Sequence, residues 1–145
     1  MRKLIWRGLL ILCAFFTLSA CNDSETVADF FCGDAILIDE VLYGATTTSN
    51  YSISDVTVTD FCVTISIGAS GCDPDNWMTS LIDSGQEAFS NPPERFARLS
   101  LENNDACLAF FQTSYTFDLR PILNDPDQTI ILVLEGWNDQ IIINE

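Results

Sequence analysis

The chain contains no histidine and, past its first residues, almost no positive charge. Of its six Lys and Arg residues, Arg2, Lys3 and Arg7 fall within the first seven positions. From Cys21 onward there is no lysine, and three arginines (Arg95, Arg98, Arg120) face all 21 acids, a net charge of −18. These absences exclude histidine-based catalytic triads, histidine metal sites, a Schiff-base lysine and a Walker-type phosphate loop. They also argue against nucleic acid as a partner, because phosphate neutralisation needs a basic face. Long apolar runs are lacking too. The longest, residues 8–18, has 11 residues, whereas a membrane-spanning helix needs roughly 20.

That run has the layout of an export signal. A basic start precedes it, and Leu18-Ser19-Ala20-Cys21 follows it. Small residues at 19 and 20 suit a signal peptidase. The cysteine directly after them resembles the bacterial lipobox, in which that residue is acylated and becomes the new N-terminus. The expected organisation is a lipoprotein signal peptide over 1–20, an acidic tether over 21–30 and one folded domain over 31–145. A diacylated Cys21 suffices for stable anchoring, because two chains hold where one is marginal. The acidic domain adds no attraction to anionic headgroups. The expected place is the cell envelope, as an outer-membrane lipoprotein facing the periplasm or the surface, with the membrane as partner through the lipid. The tether is similar to the acidic export signals of surface lipoproteins of Bacteroidota.

Four cysteines remain beyond Cys21: Cys32, Cys62, Cys72 and Cys107. An exported chain permits disulfides, and four cysteines allow three connectivities. No pair has the two-residue spacing of redox or zinc motifs, and no histidine accompanies them, so structural bonds are the better reading. The preferred pairing is Cys32–Cys62 with Cys72–Cys107. Each bond would remove about 4 kcal/mol of loop entropy from the unfolded chain.

Period-two patterning dominates the rest. Residues 35–43 are apolar and end at Gly44. Residues 51–58 switch parity near Ser54-Asp55, the mark of a bulge. Phe61, Val63, Ile65 and Ile67 alternate with Cys62, Thr64 and Ser66, a half-buried strand. Strands are also expected over 77–82, 96–101 and 106–119. Residues 129–135 and 140–143 flank Gly136-Trp137-Asn138-Asp139 as a hairpin. Residues 83–94 read as a connection, with a helical turn at most over 85–90 before Pro92 and Pro93. Residues 120–128 carry two prolines and read as irregular. The fold expected is all-β, an immunoglobulin-like antiparallel sandwich of about 7–8 strands, with a small barrel as the alternative.

A string of landmarks supports this. Gly71-Cys72, Trp77, Leu81, Ser90-x-Pro92-Pro93, Arg98-Leu-Ser-Leu101, Asp105-Ala-Cys107-Leu-Ala109 and Phe117-Asp-Leu-Arg-Pro121 occur in order. Over residues 50–143 the chain resembles a group of small uncharacterised lipoproteins of Bacteroidota. The resemblance implies a Cys72–Cys107 bond and a sandwich; it implies no activity. The histidines common in that pattern are replaced here within 73–76 and 101–104, so no role of theirs carries over.

Candidate chemistry is sparse. Asp73, Asp75 and Asn76 form one cluster of hard oxygen donors, and Asp125 and Asp127 another. Such donors suit Ca²⁺ as a cofactor. Neither loop has the glycine and closing glutamate of a calcium loop, and the same residues are good turn formers. Trp77, Trp137, Tyr43, Tyr51 and Tyr115 are candidates for a sugar-stacking platform, with Trp137, in the expected hairpin loop, the best placed for exposure. Paired carboxylates for glycoside hydrolysis are not singled out by any spacing. The expected function is therefore a non-catalytic structural or interaction domain. The alternatives are a carbohydrate-binding or a calcium-dependent binding module, with a protein or glycan partner.

Overall fold

The computed structural model describes residues 32–104, 106–125 and 127–144. Cys21 and the segments 1–20 and 21–30 lie outside the described residues. The described chain forms nine strands and one short helix. They are β1 (Asp34–Ala35), β2 (Leu37–Ile38), α1 (Glu40–Ala45), β3 (Ser52–Thr59), β4 (Cys62–Gly71), β5 (Met78–Ala88), β6 (Glu94–Glu102), β7 (Ala109–Asp118), β8 (Ile130–Leu134) and β9 (Ile141–Ile143).

Two sheets face one another. The four-stranded sheet has the order β1-β7-β4-β3 and the five-stranded sheet β2-β5-β6-β8-β9. The alternation in β4 is the plainest cause. Val63, Ile65, Ile67 and Ala69 are buried, and Thr64 and Ser66 point the other way. Ala97, Leu99 and Leu101 of β6, Leu132 of β8, and Ile141 and Ile143 of β9 supply the opposing layer. Each such side chain contributes about 1.5–3 kcal/mol on burial. Together they form one core with Phe117, Leu119 and Ile122.

Three features depart from the expected antiparallel sandwich. First, β1 with β7, β2 with β5 and β6 with β8 are parallel pairs. The sheets are mixed because the N-terminal segment runs alongside both of them, giving β1 to one and β2 to the other. Second, residues 40–45 are helical rather than extended. Asp39 caps the helix by accepting from the Leu42 N–H at 2.8 Å, and the Thr46 N–H closes its end on Leu42 and Tyr43. Local capping here outweighs the strand preference of Val, Leu and Tyr. The helix lies against β5, whose outward-facing Ile82 is completely buried. Third, β5 continues to Ala88 through what the sequence suggests is a connection. It does so by an irregularity between Asp83 and Glu87, with Gly85 at φ +75°. Asp83 and Ser84 accept from the N–H groups of Gly85 and Gln86 and hold this kink. The bulge in β3 falls between Ile53 and Asp55, at the parity switch.

One disulfide ties the N-terminal segment to a strand and the other ties the ends of two neighbouring strands through their loops. Cys32 bonds to Cys62 at the start of β4, and Cys72, after β4, bonds to Cys107, before β7.

Candidate functional site

All three arginines beyond Cys21 are bound to carboxylates. Arg95 meets Asp83 through two hydrogen bonds, Nε to Oδ2 at 3.2 Å and Nη2 to Oδ1 at 2.5 Å. The Asp83 side chain is fully buried and that of Arg95 is 10 % exposed, so this pair sits inside the sandwich at the β5 kink. Arg120 forks onto the buried Asp118 at the end of β7. Hydrogen bonding from Arg120 holds the Asp118 carboxyl below its ordinary range, against the opposing effect of burial.

Arg98 makes a wider clasp. Its Nε donates to Glu135 after β8, its Nη1 donates to the Tyr43 carbonyl at 2.8 Å, and its guanidinium lies 4.3 Å from the centre of the Tyr43 ring. Thr48 donates to the second oxygen of Glu135 at 2.9 Å. The Arg98 and Thr48 hydrogen bonds keep the Glu135 carboxyl below its usual range. Tyr51 donates to the Leu99 carbonyl at 2.7 Å, and burial, reinforced by Glu135, pushes its hydroxyl up to about 12. One cation thereby ties α1, β6 and the β8–β9 loop together.

Two clefts open on this framework, each of about 370 Å³. The first lies beside the Cys32–Cys62 bond and is lined by Thr59, Asp60, Phe61, Asp118 and Arg120. Its buried Asp118 and half-buried Arg120 already hold each other. The second lies between α1 and β5, lined by Glu40, Tyr43, Gly44, Ser84, Gln86 and Phe96. Glu40 there accepts from the Gln86 amide at 2.9 Å. Neither cleft converges a nucleophile on a base.

The acidic loops are occupied with their own turns. Asp73 accepts from the Asp75 N–H at 3.1 Å and the Asn76 amide at 3.2 Å, capping a short 3₁₀ turn over Pro74–Asn76. Asp125 accepts from the Asp127 N–H at 3.1 Å. Among the described residues, no three acids or cysteines gather to hold a metal ion.

The aromatic residues do not form one platform. Trp77 is buried and packs edge-on against Phe111, at 6.3 Å. Tyr51 and Tyr115 pack against the core. Trp137 does not project from its loop as expected: it is half-buried against the core, because its N–H bonds back to Leu134 and folds the loop inward.

Two phenyl rings are exposed among the described residues, Phe89 beyond β5 and Phe110 on β7, and period-two reading passes over the second. Phe110, 62 % exposed, lies on the outer side of the four-stranded sheet above Gly68, where a β-carbon would run into its ring. A glycine inside a strand signals such close approach. Around it the outer face is neutral and hydroxylated. Thr64 and Thr116 share a hydrogen bond at 2.9 Å, and Ser66 and Ser114 one at 2.8 Å. Ser52 and Ser54 donate to carbonyls of β4.

No protein-family model matches the chain, and no curated protein is similar to it. Two solved structures share its fold. One is a protein of unknown function (DUF1344) from Bacteroides vulgatus, with TM-score 0.52 and 12 % identity over 78 % of this chain. The other is a NigD-like immunity protein from Bacteroides caccae, with TM-score 0.52 and 9 % identity over 76 % of this chain. The match spans 57 % and 58 % of those two chains. The likeness is therefore one of fold, shared with two Bacteroides proteins, and this chain's own two disulfides fit an oxidising compartment outside the cytoplasm.

Proposed function

We propose that this protein is an exported lipoprotein of the cell envelope, acylated at Cys21, whose sandwich acts by contact rather than catalysis. The observation that carries the reading is the Cys32–Cys62 bond. It anchors the start of the domain to a central strand, 11 positions after Cys21. A chain spans at most about 3.6 Å per residue, so the domain stays within roughly 40 Å of the lipid-bearing residue. The excess of carboxylates keeps it off an anionic leaflet. The test is the mass of the N-terminal peptide and the fractionation of the protein in a lipoprotein-processing host. A diacylglycerol-bearing Cys21 in the membrane fraction is expected, with release into the aqueous fraction on Cys21→Ser. An unmodified, aqueous parent protein overturns the reading.

A contact role fits the described side chains. No described His, Lys or unpaired thiol is present, and each arginine is committed to a carboxylate. The description of the Bacteroides caccae neighbour as an immunity protein points the same way, toward a domain that works by binding another molecule.

Phe110 favours a second reading, a glycan-binding face. An exposed ring whose tip meets Gly68, beside paired hydroxyls, offers an uncharged stacking surface to a sugar. Glycan-array binding abolished by Phe110→Ala and kept by Trp137→Ala supports it; an array with no binding rejects it.

A further inference from the structure

The N-terminal segment closes only one end of the sandwich's rim. β1 pairs with β7 solely at Phe117 and Asp118. β2 pairs with β5 solely at Ile82 and Asp83. Over Ala109 to Thr116, β7 is paired on its β4 side and has no strand on its other side among the described residues.

The disulfide contributes to this. Strands in a sheet lie about 4.8 Å apart, so a residue in line with β1 stands roughly 9–10 Å from β4 across β7. Cys32 has its Cα only 6.0 Å from that of Cys62 in β4. It has therefore left the line of β1 and crossed the outer side of β7. Gly33 makes the crossing, where a β-carbon would collide with the Thr116 carbonyl.

The groups at this edge can be named. The Asp118 carbonyl accepts from the Ile36 N–H at 2.9 Å, so it points away from β4. Successive residues of a strand turn their N–H and C=O to opposite sides. The N–H groups of Phe110, Gln112, Ser114 and Thr116 therefore face the edge, and the first three of these residues are exposed. Edge strands are normally blunted by charge or proline. Residues 106–117 contain neither. On the core side of the rim, the Tyr115 hydroxyl and the Trp77 indole N–H are buried with no hydrogen-bond partner.

We infer that the β7 edge is a strand-addition site that takes an extended segment of a cationic polypeptide. The inference deepens the contact role proposed above and does not depend on Cys21. Main-chain hydrogen bonds supply attachment in this mode, and alternate side chains supply preference. Residues facing inward would lie beside Tyr115 and Phe111 and are apolar. Residues facing outward lie beside Gln112 and Ser114. The net charge of −18 selects the sign: it steers a basic segment in and repels a second copy of this chain.

Three nine-residue probes test this on the full chain in non-ionic detergent: alternating lysine and valine, alternating glutamate and valine, and the lysine peptide with one central proline. Binding is read by titration, and amide exchange at Phe110, Gln112 and Ser114 by NMR. The lysine peptide is expected to slow those amides and to bind at least tenfold tighter than either other peptide. Gln112→Pro removes an edge N–H while leaving the bonds to β4 in place, and should weaken binding tenfold or more; Gln112→Ala should bind as the parent does. Equal binding of the proline-containing peptide would mean charge attraction alone and overturns the inference. So do edge amides already protected without peptide, whether by the chain's own residues or, if dilution exposes them, by a second copy.

Discussion

The two sheets handle the same acidic chain in opposite ways. In the four-stranded sheet, β4 and the body of β7 carry no charge, and the outer face is held by hydroxyl pairs and main-chain ladders. In the five-stranded sheet, carboxylates are kept and neutralised: Arg95 is buried with Asp83, and Arg98 clasps Glu135 under Tyr43. With three cations available, ion pairs appear only where a carboxylate is buried or joins separate elements. In β4 and the body of β7 charge is simply left out. Stability should therefore be fragile to charge changes in one sheet and indifferent to polar changes in the other.

The largest effect should come from splitting the buried pair. Arg95→Leu leaves the buried Asp83 carboxyl without its partner and should cost about 3–5 kcal/mol by urea denaturation. The double variant Asp83→Leu/Arg95→Leu should recover much of that loss, since an apolar pair needs no compensation. If the single variant is as stable as the parent, the contrast between the sheets is lost.

Next come the cross-links. Replacing either cysteine pair by alanines should cost about 2–4 kcal/mol, with similar values for the two because their sequence separations, 30 and 35, are close. A thermal melt of each variant measures this.

Acid should weaken an ion pair at each sheet. The Asp118 and Glu135 carboxyls titrate below their ordinary values in the folded state. Their stabilisation is therefore complete above the unfolded-state range near pH 4 and is lost as pH falls through the lower folded-state values. Relief of the general acidic repulsion works in the other direction over the same range. The clean measure is a difference: Asp118→Asn should lower stability at pH 7, and its gap to the parent should close as pH falls through the lowered folded-state range. The smallest effect is expected on the neutral face, where Ser66→Ala/Ser114→Ala removes an exposed hydroxyl pair and should change stability by less than about 1 kcal/mol.

Much of the neutral sheet was legible from residue order. The alternation of β4 and the bulge after Ile53 follow local signals, and the cysteine pairs are the preferred one of three connectivities. The five-stranded sheet was less so. Period two reports which face is buried but not strand direction, so the parallel β6–β8 pairing has no signature in the sequence. α1 hides behind strand-forming Val41, Leu42 and Tyr43, with Asp39 as its only start signal. Gly85 reads as part of a connection, whereas it is the kink within β5 beside the Asp83–Arg95 pair. At the candidate site, Trp137 drew attention by type and loop position, whereas exposure was decided by tertiary folding of that loop. Phe110 sat at the polar parity of β7, and only the glycine beneath it marked the spot.

The Cys32–Cys62 bond also decides how the molecule would bear tension. A pull from the amino-terminal side meets Cys32 before it meets β1 or β2, each only two residues long. The covalent link passes the force into β4, which is laddered along its length to β3 and β7. Stretching therefore shears the middle of a sheet rather than unzipping its weakest margin, and the domain can be tugged without fraying from its own beginning.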